Sequence, residues 1–334
     1  SVPLITILGT PGSSSEGISK EVRAWLFREL FAMGSLLCND SLFLSMSMIR
    51  NTKRIYDFKF RCDYAIIIYY INIMSAFFKG RHCTNSKNEG YIMKQLMTGN
   101  EAIALGAWEA GVHVVAAYPG TPSTEITENA AKYDEMYAEW APNEKVAMEV
   151  AIGAAITGGR AMACMKHVGV NVAMDPLMTV AFSGIKGGLV LITADDPGMH
   201  SSQNEQDNRR LGHFAKIPVL EPSDSGECRD FIKAAFDISE AFDTPVMLRL
   251  TTRVAHSQSL VEKGVRVERE IPPYDREPQK YVMVPANARP RHAVDEARLK
   301  KLVTYGETSP LNSMEKGSDE IGVICAGIVY EYVK

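Results

Sequence analysis

Val112-His113-Val114-Val115-Ala116-Ala117, running into Tyr118-Pro119-Gly120-Thr121-Pro122-Ser123-Thr124, is the stretch on which the fold turns. An apolar run, interrupted only by His113, stops at a Gly/Pro turn, and the Thr/Ser cluster that follows opens a helix. This is the grammar of a strand passing into a helix. Free N–H groups at a helix start suit anions, so the turn is a ligand site in one reading and an ordinary β-to-α connection in the other.

Moving outward, the same alternation repeats. Before the strand, Thr98 and Asn100 precede Glu101-Ala102-Ile103-Ala104-Leu105-Gly106-Ala107-Trp108-Glu109-Ala110-Gly111, a helix with an N-cap and a terminal glycine. After the turn come a helical stretch at 123–133, the small-residue helix opened by Pro142-Asn143-Glu144, and a short strand at 161–165. Residues 166–171 read as a loop and 172–182 as a Met- and Ala-rich helix. Gly188-Leu189-Val190-Leu191-Ile192-Thr193-Ala194 is the clearest strand, ending at Asp195-Asp196-Pro197-Gly198 before a polar loop. Strands at 218–220 and 245–250 flank an amphipathic helix at 225–242. Such alternation predicts an α/β fold, a doubly wound parallel sheet covered on both faces, with ligands at the carboxyl ends of the strands.

Residues 1–92 differ in character: rich in Ser, Asn, Phe and Ile, they show no sustained period. They read as an irregular, non-homologous extension, a gene-boundary artefact or an unrelated appendage, with the native protein starting at Met93. The apolar run at 64–78 falls short of the roughly twenty residues that span a bilayer. The expected domains are 1–92, 93–255, an extended Pro- and Arg-rich linker at 256–319, and at 320–334 the start of a truncated second α/β domain, read as a strand and turn entering a helix. A net charge of −4 argues against nucleic acid as a partner. Six cysteines without a CxxC pair encode neither a zinc site nor an iron–sulfur cluster, and point to a reducing cytoplasm. No signal peptide or membrane anchor is expected.

Taken together, 118–124, 143–159, 165–171, 194–209 and 244–254 resemble, in order, the amino-terminal part of the α subunits of indolepyruvate:ferredoxin oxidoreductases, members of the thiamine-diphosphate-dependent 2-oxoacid:ferredoxin oxidoreductases. The resemblance starts at about Met93. It implies that 93–255 is a domain of the type that receives the aminopyrimidine ring of thiamine diphosphate. Counting back from Gly153-Ala154, the family's glutamate that meets a pyrimidine ring nitrogen falls on Glu144. On its own chemistry Glu144 also reads as a first-turn carboxylate offsetting the helix dipole. Glu149, on another helix face, reads as solvated or structurally paired.

By the same resemblance, Thr121 faces the 2-oxoacid, with Gly120, Gly169 and Asn171 beside the cofactor; a plain helix cap is the other reading of Thr121. Lys166 and His167 lie where relatives approach substrate and cofactor, and a cation there suits an anionic 2-oxoacid. A structural role for His167 stays open. Within His200-Ser201-Ser202-Gln203-Asn204-Glu205-Gln206-Asp207, which looks like the family's active-site loop, His200 and the following Arg209 are candidates for substrate or coenzyme A, Arg209 through a carboxylate or a phosphate.

No Gly-Asp-Gly of a magnesium-diphosphate site occurs, nor ferredoxin-like cysteine motifs, so Mg2+ and [4Fe–4S] clusters are expected outside this chain, which alone should be inactive. The implied activity is oxidative decarboxylation of indolepyruvate and other aryl pyruvates to aryl-acetyl-coenzyme A, with ferredoxin as acceptor and a β subunit and a second α subunit as partners. A pyruvate or 2-oxoglutarate enzyme and a non-catalytic assembly subunit remain as alternatives.

Overall fold

The computed structural model describes residues 94–317 and 321–334, so the readings of 1–92 and of the start at Met93 lie outside the described residues. The strand at the centre of the sequence argument is β2 (Val114–Ala117). It sits in a six-stranded sheet with β3 (Tyr137–Trp140), β4 (Ala161–Lys166), β5 (Leu189–Asp195), β6 (Val219–Leu220) and β7 (Val246–Thr251). The order across the sheet is β3-β2-β4-β5-β7-β6, and every pairing is parallel. Antiparallel β1 (Lys94–Thr98) and β8 (Gln258–Glu262) form a separate two-stranded ladder.

Both faces of the sheet are covered, which is why its central strands are apolar at consecutive positions rather than alternately. Val115, Ala117, Met162, Cys164, Val190, Ile192, Val246 and Leu248 point to one side, against α1 (Gly99–Glu109), α2 (Thr124–Ala130) and α6 (Ser225–Phe242). Ala161, Ala163, Met165, Leu189, Leu191 and Met247 point to the other, against α3 (Glu144–Ile156) and α4 (His167–Ser183). The N-cap read before α1 holds, and α3 and α6 are capped in the same way. Thr98 caps α1 in a reciprocal capping box with Glu101, Asn143 caps α3 by accepting from the Val146 N–H at 3.0 Å, and Asp224 caps α6 through Glu227 N–H at 2.8 Å.

Three readings are corrected. Residues 166–171 are not a loop: α4 begins at His167, with only Lys166 extended. Five of the strand's six residues are buried, and no glycine or proline intervenes to break the chain between strand and helix. Residues 256–319 are not an extended linker, since they hold β8, the short α8 (Pro278–Tyr281) and the 24-residue α9 (Pro285–Thr308). Pro285 occupies the first helical position, where its missing N–H costs nothing, and the following Ala, Arg, Glu, Leu and Lys are strong helix formers. The helix docks on the end of α4: Arg291 donates to Phe182 O at 3.0 Å, and the buried Arg298 donates to Ala181 O and, at 2.6 Å, to Asp243 O. Residues 321–326, read as a strand, have no strand pairing; a 3₁₀ turn at Gly327–Val329 and α10 (Tyr330–Val333) follow. Among the described residues no helix is long and apolar enough to cross a membrane.

The topology creates one crevice. From β2 the chain moves to β3 on one side and returns to β4 on the other, so the connections leaving β2 and β4 diverge at their carboxyl ends, where open α/β sheets accept ligands.

Candidate functional site

At the end of β2 the turn 118–123 is held by its own side chains. Gly120 N–H donates to Thr124 Oγ1 at 2.9 Å, Ser123 Oγ donates to Gly120 O at 2.8 Å, and Asn100 Nδ2 reaches Pro122 O at 2.9 Å. These bonds brace the turn, and α2 starts at the N-cap residue Ser123 without a side-chain cap from it or from Thr121. Thr121 projects at the exposed apex, its carbonyl accepting from Ser201 Oγ at 3.4 Å. Gly120 lies over the Lys166 stem: a Cβ there would stand 3.1 Å from Lys166 Cγ.

The starts of α3 and α4 meet through Glu144 and Gly169. Glu144 is the first residue of α3, half-buried, with its side chain against the α4 backbone; a Cβ on Gly169 would lie 2.6 Å from Glu144 Oε1 and 2.7 Å from its Cγ. Only a glycine admits the carboxylate at this place. Asn171, one turn beyond His167, is on the exposed side of α4.

From β5 the segment after Asp195 crosses back over β4. Ser201 O accepts from Lys166 Nζ at 3.4 Å, and Asn204 O pairs with His167 Nε2 at 2.8 Å. His167 is fully buried and, among the described residues, its Nδ1 has no partner. With Asn204 O an acceptor, Nε2 carries a hydrogen toward it. His200 is exposed beside Gly198. Arg209 is set apart from these residues: it holds Asp207 at 2.8 and 2.9 Å and lies 3.7 Å from Glu221, so its charge is already matched by carboxylates.

Sequence reasoning missed the buried polar layer beneath this segment. Asp195, wholly buried, accepts from Arg249 Nε at 2.7 Å and from Asn208 N–H at 3.1 Å; burial pushes its carboxyl up and Arg249 opposes the rise. Asn208 Nδ2 bridges Thr193 Oγ1 at 2.6 Å and His167 O at 3.3 Å. Asp196 accepts from Ser201 N–H and from Thr252 Oγ1, at 2.8 and 2.9 Å. Burial would raise the Asp196 carboxyl, but these donors outweigh it and hold it down at about 2. The only linear signal was a pair of acids closing an apolar strand, and their partners lie far along the chain.

The model of a known family, pyruvate flavodoxin/ferredoxin oxidoreductase, thiamine diphosphate-binding, matches residues 105–311. Indolepyruvate oxidoreductase subunit IorA of Archaeoglobus fulgidus is 49% identical over 251 residues, covering 72% of this chain and 40% of that protein. The same subunit of Pyrococcus horikoshii is 47% identical, covering 72% and 39%. The chain thus spans about two fifths of the length of these relatives. Among solved structures, 2-oxoglutarate:ferredoxin oxidoreductase from Magnetococcus marinus, with 2-oxoglutarate, coenzyme A and succinyl-coenzyme A bound, is 17% identical with a TM-score of 0.55, covering 70% of this chain and 50% of that one. That likeness concerns the fold. With the match extending from α1 through α9, the chain belongs to the pyruvate flavodoxin/ferredoxin oxidoreductase family, within its thiamine-diphosphate-binding part.

Proposed function

We propose that this chain forms the pyrimidine-side wall of a thiamine-diphosphate site in a 2-oxoacid:ferredoxin oxidoreductase that takes indolepyruvate and other aryl pyruvates, with coenzyme A, to aryl-acetyl-coenzyme A, carbon dioxide and reduced ferredoxin. The observation that carries the reading is Glu144 seated on Gly169, a carboxylate at the start of α3 in a place that only a glycine leaves open. The residues fit the cofactor in two further respects: Gly120 leaves the backbone bare beside Lys166, and His167 Nδ1 is a buried ring nitrogen without a partner among the described residues. Thiamine diphosphate, when bound, supplies the electron sink for decarboxylation.

The chain's own contribution is position and proton control. Glu144 would meet a ring nitrogen of the cofactor as the group that exchanges a proton with it. Lys166 offers a positive charge to the 2-oxoacid carboxylate, with the Thr121 hydroxyl as a second donor. His167 offers its Nε2–H as a third donor. A β subunit, a second α subunit and ferredoxin are the proposed partners; Mg2+ and [4Fe–4S] sites belong outside this chain, and the assembly is assigned to the cytoplasm. The preference for aryl pyruvates draws on the names of the most similar relatives, described as indolepyruvate oxidoreductase subunits.

The test is Glu144→Gln in the full assembly, with thiamine-diphosphate affinity and ferredoxin reduction measured on indolepyruvate, pyruvate and 2-oxoglutarate side by side. A loss of turnover of about 10² or more is expected, in the range of general acid–base contributions. Full activity of the variant would overturn the role of Glu144, and better turnover of pyruvate or 2-oxoglutarate would overturn the substrate class.

A further inference from the structure

We infer that residues 198–206 form a strap whose carbonyls sit in the anion seat made by Lys166 and His167, and that Asp196 is the positioning residue that keeps the strap there. The inference rests on the reading of that seat given above and adds a competitor for it.

The strap touches both sides of the crevice. Ser201 Oγ reaches Thr121 O at 3.4 Å, Ser201 O accepts from Lys166 Nζ at 3.4 Å, and Asn204 O meets His167 Nε2 at 2.8 Å. Two carbonyl oxygens, each carrying partial negative charge, thereby occupy the donors that a 2-oxoacid would use. An incoming carboxylate is the stronger acceptor for the ammonium, so the exchange favours it once it arrives. The strap's outer surface is exposed at Met199, His200, Ser201, Gln203, Asn204 and Glu205, while His167 beneath it is fully buried.

What holds the strap closed is local. Asp196 takes Ser201 N–H at 2.8 Å and is itself fixed by Thr252 Oγ1 at 2.9 Å; Glu205 Oε2 takes Gly198 N–H at 2.7 Å. Asp196 lies at the root of the strap, one residue beyond β5, and its low-lying carboxyl keeps it a full acceptor at neutral pH. A closed strap lowers apparent substrate affinity by the fraction of molecules that are open, without touching the chemistry that follows.

The experiment uses the complete oxidoreductase containing this chain, with phenylpyruvate as the probe. In Asp196→Ala, amide exchange across 198–206 is expected to quicken about tenfold or more, and KM for phenylpyruvate to fall several-fold with kcat unchanged, the signature of an altered ground-state competitor. Thr252→Val, which removes a donor to Asp196, should move both readouts in the same direction and serves if the first variant does not assemble. Saturating phenylpyruvate should quicken exchange of the same amides in the unsubstituted assembly. Unchanged exchange, or faster exchange with unchanged or higher KM, overturns the strap. An unsubstituted assembly that turns over no 2-oxoacid overturns the proposed function itself, whereas normal turnover with an unmoved KM in the variants overturns the strap alone.

Discussion

Gly169→Ala separates position from stability at the Glu144 carboxylate. The added Cβ would lie 2.6 Å from Oε1, 2.7 Å from Cγ and 3.0 Å from Cδ of Glu144. Restoring ordinary contact requires the carboxylate to retreat by about 0.8 Å, a difference between 3.4 and 2.6 Å. All three clashing atoms belong to one half-buried side chain, so the carboxylate yields and the backbone does not. Gly169 lies in the first turn of α4, where alanine is the better helix former by roughly 0.5–1 kcal/mol, which offsets the cost of moving Glu144. The thermal midpoint should therefore stay within about 4 °C of the parent. A displacement near 1 Å of a group that must meet a ring nitrogen costs on the order of 10²-fold in rate. Calorimetric titration with thiamine diphosphate and steady-state ferredoxin reduction, run with thermal unfolding on the same preparation, provide the assay. Parent-like cofactor affinity and turnover in a folded Gly169→Ala assembly would refute the reasoning, because the glycine would then have no bearing on the carboxylate's place.

Other outcomes follow from the same contacts. Arg160, buried and bound to Glu240 at 2.7 Å, to Asp237 at 2.6 Å and to Ala110 O at 3.1 Å, should cost about 1–3 kcal/mol on replacement by Ala, read by denaturant unfolding, because Ala110 O loses its donor while Asp237 is largely exposed and Arg269 stays near both carboxylates. Gly106→Ala would set a Cβ 2.4 Å from Arg229 O, a backbone atom that cannot move aside, and should destabilise by about 1–3 kcal/mol through separation of α1 from α6. Asp196, depressed to about 2 in the folded chain against 3.8 as its reference, contributes stability that is complete above its unfolded pKa and disappears as pH falls through that interval. Asp196→Asn should accordingly flatten the loss of stability between about pH 4 and pH 2 in an acid titration.

The linear text carried the sheet because strands buried on both faces must be apolar at consecutive positions, and Leu189-Val190-Leu191-Ile192 could hardly be read otherwise. It also carried the starts of α1 and α3, where Thr98 and Asn143 act on N–H groups three residues away. It lost α9, because five prolines scattered between 272 and 290 drew attention from the helix-forming residues behind them, and because burial of Asp295 and Arg298 has no signature in sequence. The two-stranded ladder was missed for a related reason: Lys94 and Glu262, which close it at 3.2 Å, are remote in the chain, and its exposed Leu96 and Leu260 break the expected pattern.

The candidate site divides in the same manner. Sequence alone determined that Thr121 stands in the turn after a strand and Glu144 at a helix start, since local periodicity and capping fix where those elements stop, whereas Lys166 and His167 read as a loop. Only the tertiary structure decided that Glu144 rests on Gly169, that Arg209 is taken by Asp207, and that a segment leaving β5 covers Lys166 and His167. Those facts depend on β4 lying between β2 and β5, and strand order is set by packing of both faces at once, which no local stretch of sequence encodes.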